Sequence, residues 1–147
     1  DPPVYDLGGV PRCIFGTFEG YRRALEIADS PNIGVCLCVG CWVEGGAMMG
    51  RNVVDAIHHF GGQGKLFKVH FRNVTAPMPG GFVETFLDDG YMDMYRVMRA
   101  LREVGYDGAI MSDHLEEMVG GPRAAEAFAI GYMKALVQAA NEAPAGG

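Results

Sequence analysis

The stretch KLFKVHFRNV, residues 65–74, decides how this chain is read. Its apolar run 66–71 has the look of a buried strand. The run then delivers His70, Arg72 and Asn73 within four residues. Two other apolar runs end the same way: 33–38 closes on Cys38, and 108–112 runs into Asp113-His114. Three predicted strands thus each carry a metal-competent side chain at the C-terminal end.

Between these strands the sequence has helical spacing. Thr17 is a good N-cap for a helix whose apolar stripe is Phe18, Tyr21, Leu25 and Ala28. Pro31 disfavours helix at Ser30, so the helix ends there. A strand is expected over 32–39, apolar on both faces as in a covered parallel sheet. A loop is expected over 40–50. Asn52 caps a short helix over 53–60, on which His58 and His59 read as surface residues, and Gly61-Gly62 ends it. A long loop, 73–91, follows the second strand, and loops of that length tend to be functional. Asp93 caps a third helix with the stripe Met94, Val97, Met98, Leu101 and Val104, stopped by Gly105. Pro122 suits the first turn of a last helix whose buried face is expected to be Ala125, Phe128, Tyr132, Leu136 and Ala140. The tail 142–147 is expected to be disordered.

Alternating strands and helices imply a parallel α/β sheet. A doubly wound sheet and a (β/α)8 barrel both fit that pattern. No GxGxxG follows any strand, so a dinucleotide site has no support. Barrels place their chemistry at the C-terminal ends of several strands, as found here. A whole barrel needs roughly 250 residues, and this chain has 147. We therefore expect one domain over 1–147, a partial (β/α)8 TIM barrel. It comprises about three C-terminal βα units preceded by a helix.

Composition narrows the function. The net charge is -6, which disfavours nucleic acid as a partner. No apolar run of about 18 residues is present, so no membrane span is expected. The start, DPPVYDLGGVPRC, lacks the basic and apolar regions of a signal peptide. Cys36, Cys38 and Cys41 crowd together, which suits reduced thiols in a cytoplasm better than a disulfide framework. A CxCxxC zinc or iron–sulfur clamp is weakened because Cys36 and Cys38 lie inside an apolar strand. Cys13, Cys36 and Cys41 read as small buried hydrophobes.

Alternation along the strands sharpens the site. If His70 faces the barrel interior, Lys68 does too, and Phe67, Val69 and Phe71 face the helices. Cys38 inward puts Leu37 and Val39 outward. Asp113 inward takes Ala109 and Met111 with it and leaves Ile110 outward. Cys, His and Asp form a mixed soft and hard donor set, suited to divalent zinc, iron or manganese. Three protein ligands with an open position would mark a catalytic metal. Lys68, Arg72 and Asn73 are expected to bind a substrate, with Arg72 taking a carboxylate.

The segments GTFEGYRRALEIADSPNIGVCLCVGCW, KLFKVHFRNV and ETFLDDGYMDMYRVMRAL, with the later Asp113-His114, together resemble the mannonate dehydratase family in its C-terminal portion. The resemblance implies a xylose isomerase-like barrel and dehydration of D-mannonate to 2-keto-3-deoxy-D-gluconate. It implies a manganese or iron cofactor held by Cys38, His70 and Asp113. His114 matches the family's acid/base histidine. A cytoplasmic homo-oligomer is also implied. The family has a further histidine ligand from an earlier strand and a tyrosine after the Asp-His pair; no residue here matches either, and Tyr132 reads as core. A sugar isomerase of the same barrel class is the alternative, although Cys38 is foreign to the usual Glu/Asp/His ligand set. An inactive fragment is the other.

Overall fold

The computed structural model of the chain describes residue 9 and residues 15–144. Three strands, β1 (Val35–Cys38), β2 (Leu66–His70) and β5 (Ala109–Met111), form a parallel sheet with β2 in the centre. The register aligns Cys38 with His70, and His70 with Met111. A hydrogen bond from Phe71 N to Met111 O, 2.8 Å, carries the pairing one step further. Helices α3 (Val53–Gly62), α4 (Met94–Glu103) and α5 (Pro122–Glu142) pack side by side, α3 on α4 and α4 on α5. None of the described helices is long and apolar enough to cross a membrane.

Local sequence explains the helix ends. Thr17 Oγ1 accepts from Gly20 N at the start of α1 (Phe18–Ala28). Asn52 Oδ1 accepts from Asp55 N at α3, and Asp93 Oδ1 accepts from Tyr95 N at α4. Each cap satisfies an amide that the helix itself cannot. Pro122 opens α5, where its missing N–H costs nothing. Gly105 closes α4 at φ +67, a conformation that suits glycine.

The alternation expected of the strands is present in the burial pattern. Leu37, Val69 and Phe71 are fully buried in the core that the helices share. On the opposite face Cys36, Ala109 and Met111 are exposed, while Lys68 and His70 are half-buried. One face of the sheet is therefore covered and the other open. Cys36 belongs to the open face, which corrects its reading as a buried hydrophobe. Phe67 also departs from expectation, being 45% exposed. It lies at the foot of the sheet, where a register shift between Val35 and Cys36 disturbs the pairing. Cys13 lies outside the described residues.

Two further differences concern element boundaries. The segment expected as a loop over 40–50 is helical: α2 (Val39–Gly45), then a 3-10 turn over Gly46–Met49. The helix begins directly at the strand end because Cys38 Sγ caps it, accepting from Cys41 N at 3.4 Å. Gly40 is not a loop signal: a Cβ there would stand 2.7 Å from Arg72 Nε. Crowding of that kind costs about 1–3 kcal/mol. The long loop 73–91 contains a small antiparallel pair, β3 (Asn73–Val74) and β4 (Glu84–Thr85).

The last helix turns slightly from the expected face. Ala129 and Met133 join Ala125, Leu136 and Ala140 inside. Phe128 and Tyr132 move to the edge, where they stack on one another and Phe128 meets Phe86. The helix runs through Glu142, and Arg102 Nη1 donates to Ala143 O at 3.0 Å. Of the segment expected as a tail, residue 142 ends the helix and 143 and 144 follow it; 145–147 lie outside the described residues.

Candidate metal centre

The three strand ends meet. Ligand atoms of Cys38, His70 and Asp113 all lie within 4.8 Å of one another. Cys38 Sγ is 3.6 Å from Asp113 Oδ2, and His70 Nδ1 is 3.3 Å from Asp113 Oδ1. Cys38 and His70 are brought level by the β1–β2 register. Asp113 lies two residues past Met111, the partner of His70, and its carboxylate meets the other two side chains at the strand ends. Cys38 is buried, while His70 and Asp113 keep about a quarter of their side-chain surface open. The donor set, a thiolate with an imidazole and a carboxylate, fits a divalent transition metal.

These groups line a cavity of about 750 Å³. Cys36, Cys41, Arg72 and His114 join them on its polar wall. Tyr21, Leu25 and Ala28 of α1 form an apolar wall beside β1. Cys36 Sγ stands 3.6 Å from His70 Nε2.

Arg72 is the hub of the wall, and only 4% exposed. Its Nη2 approaches Glu44 Oε1 at 2.6 Å, off the hydrogen-bond direction, and Cys41 Sγ at 3.2 Å. Its Nη1 donates to Glu84 Oε1 at 2.5 Å, and Nε faces Asp113 Oδ2 at 3.4 Å. The guanidinium is thus committed to protein groups. The sequence expectation for it is a clamp for a substrate carboxylate. Glu44, itself buried, needs such a counter-ion, because an unpaired buried charge is costly.

The cluster tunes its thiols in opposite directions. The Cys41 side chain and backbone N–H donate to Cys38 Sγ, and Arg72 stands beside it. Together they outweigh burial and bring the Cys38 thiol down to about 7. Cys41, the donor in that pair and partly buried, is pushed up.

His114 sits at the rim with 61% of its side chain exposed. Its Nδ1 is 2.6 Å from Glu84 Oε1, and its Nε2 is 3.9 Å from Asp113 Oδ2. The hydrogen bond to Glu84 raises its pKa above the ordinary histidine value.

Asn73, expected as a substrate contact, is not among the residues that line the cavity. It is fully buried. Its Nδ2 donates to Leu87 O and Met92 O, and its Oδ1 accepts from Val74 N and Met92 N. All its polar capacity goes into folding the loop. Lys68 lies on the open face, level with Cys36, and is not among the residues that line the cavity. His58 and His59 are on the surface of α3, paired with Glu103 and Gln63. Sequence reasoning missed Glu44, Glu84 and the Cys41–Cys38 contact. Only Glu44, an acid in the apolar run 42–45, left a local trace.

The family described as D-mannonate dehydratase (UxuA) matches residues 1–142. Mannonate dehydratase of Thermotoga neapolitana is 33% identical over 138 residues, covering 92% of this chain and 37% of the relative. Mannonate dehydratase 2 of Halalkalibacterium halodurans is 30% identical over the same length, covering 92% and 38%. Among solved structures, mannonate dehydratase from Streptococcus suis serotype 2 superposes with a TM-score of 0.80. It is 26% identical and covers 94% of this chain and 41% of that one. A xylose isomerase domain protein from Planctomyces limnophilus shares the fold, with TM-score 0.68 at 17% identity, over 86% and 44%. The chain thus spans less than half the length of these relatives.

Proposed function

The chain belongs to the D-mannonate dehydratase family, and from that premise we propose that the full-length protein dehydrates D-mannonate to 2-keto-3-deoxy-D-gluconate. The observation that carries the proposal is the convergence of Cys38, His70 and Asp113 from three adjacent strand ends on one cavity. Manganese(II) or iron(II) suits this mixed donor set. A divalent metal held by these three residues would supply Lewis-acid polarisation of the substrate's oxygens.

The chain's own residues account for the rest. Cys38, brought down to about 7, offers a thiolate near neutral pH. The reaction removes a proton from C2 and hydroxide from C3, so it needs a proton acceptor and donor at the rim. His114 holds that place, since it lines the cavity with one ring nitrogen free of Glu84. An imidazole suits proton transfer because its pKa lies near working pH. Arg72 keeps the acids and thiols of the wall in place. Lys68, on the open face, supplies positive charge for the substrate carboxylate.

The proposal is tested by offering D-mannonate, and in parallel an aldose, to the full-length protein loaded with manganese(II). Appearance of the 2-keto-3-deoxy acid from mannonate alone supports it. Isomerisation of the aldose without the keto acid supports the isomerase alternative instead. Free thiols at Cys36, Cys38 and Cys41 accord with a cytoplasmic setting.

We also propose that the three βα units are the C-terminal part of a (β/α)8 barrel. Among the described residues, the open sheet face and the unpaired outer edges of β1 and β5 support this reading. Open edges and uncovered apolar faces favour association. Residues 1–147 alone are expected to associate or melt without cooperativity, checked by sedimentation and a thermal scan. A monodisperse monomer with a sharp transition would contradict that.

A further inference from the structure

We infer that Glu84 is a positioning residue for His114, and that the β3–β4 pair in the long loop serves to deliver it. The inference rests on the proton-transfer reading of His114 given above.

Glu84 touches two parts of the site with one oxygen. Its Oε1 accepts from Arg72 Nη1 at 2.5 Å and lies 2.6 Å from His114 Nδ1. The carboxylate is 33% exposed, whereas the histidine is 61% exposed. Arg72 pairs with it from the buried side, which keeps the carboxylate an acceptor. An anionic acceptor at Nδ1 holds a proton on that nitrogen, so that the neutral ring is the Nδ1–H tautomer with Nε2 bare. Nε2 is the nitrogen nearer Asp113, at 3.9 Å. The contact thus chooses both the tautomer and the face of the ring offered to the cavity.

The loop around Glu84 is built as a support. Val74 pairs with Glu84 in the antiparallel ladder. Thr75 N donates to Val83 O at 2.9 Å, and Val83 N donates to Thr75 Oγ1 at 3.0 Å. Tyr91 N donates to Val74 O at 2.8 Å. Asn73 ties the far end of the loop through Leu87 and Met92. Gly90 permits this closure, because a Cβ there would overlap the Asn73 side chain at 2.2 Å. A chance surface ion pair would need none of this bracing. Fixed partners of this kind are what hold a reactive ring in one orientation.

The test is a double-mutant cycle in the full-length, metal-loaded protein, with Glu84→Ala, His114→Asn and the double variant. Glu84→Ala is expected to lower kcat by about 10–100-fold, the usual effect of losing such a partner. KM and metal content should stay near wild type, and Glu84→Asp should recover part of the rate. In the His114→Asn background Glu84→Ala should change kcat by less than about threefold, because residues acting as one unit are not additive. Nitrogen-15 spectra of the metal-free protein give a readout independent of turnover. The His114 ring should carry its proton on Nδ1 in wild type and shift towards Nε2 in Glu84→Ala. A loss of the same size in both backgrounds would show that Glu84 acts through Arg72 and overturn the inference. Wild-type turnover in Glu84→Ala, with a large loss in His114→Asn, would overturn it alone. Wild-type turnover in His114→Asn would remove the underlying reading and this inference together.

Discussion

Replacing His114 by Asn is expected to cut turnover of D-mannonate by about two to four orders of magnitude, the usual contribution of a positioned acid or base. Bound metal and thermal stability should be unchanged. The structure gives the reason for both halves. His114 is mostly exposed, and it meets Glu84 and, at longer range, Asp113. Losing an exposed pair of that kind has little effect on folding. The ring nevertheless lines the cavity beside the three converging donors. Steady-state kinetics, elemental analysis and a thermal scan on one preparation separate the two effects. Turnover within a few-fold of wild type would make the Glu84 contact a surface pair and move the acid/base elsewhere.

Cys38→Ser, His70→Ala and Asp113→Ala are each expected to abolish measurable turnover. The fold should survive all three. Serine can still cap α2 in place of the thiol that accepts from Cys41 N. His70 and Asp113 are part-exposed and lie at strand ends, outside the core of Leu37, Val69 and Phe71. Each change removes part-exposed polar contacts at the strand ends, about 0.5–1.5 kcal/mol apiece. Activity and circular dichroism on the same variants check this. A variant that keeps wild-type turnover removes that residue from the centre.

Much of this was legible because strands carry a period of two. Once 66–71 is a strand ending at His70, alternation places Lys68 with it and Val69 against the helices, as the burial shows. The same rule puts Cys36 on the face of Cys38, whereas composition alone makes a cysteine in an apolar run look like a core residue. Helix caps were legible because Thr17, Asn52 and Asp93 act within three residues of themselves. What stayed hidden is non-local. Arg72 meets Glu44, Glu84 and Asp113 across separate elements, and nothing in its neighbours announces those partners. Gly40 reads as a loop residue until the Arg72 side chain is seen against it. Asn73 looks like a ligand-binding amide because a residue that satisfies four backbone groups has the same letters as one that meets a substrate.

The central claim is that Cys38, His70 and Asp113 hold a divalent metal. Cobalt(II) tests it most directly, because a thiolate bound to cobalt gives a near-ultraviolet charge-transfer band. The full-length protein loaded with cobalt(II) is expected to show this band. Cys38→Ser should lose it, His70→Ala and Asp113→Ala should weaken cobalt binding, and Cys36→Ser and Cys41→Ser should keep the band. An unchanged band in Cys38→Ser, or one lost only in Cys36→Ser, would contradict the account.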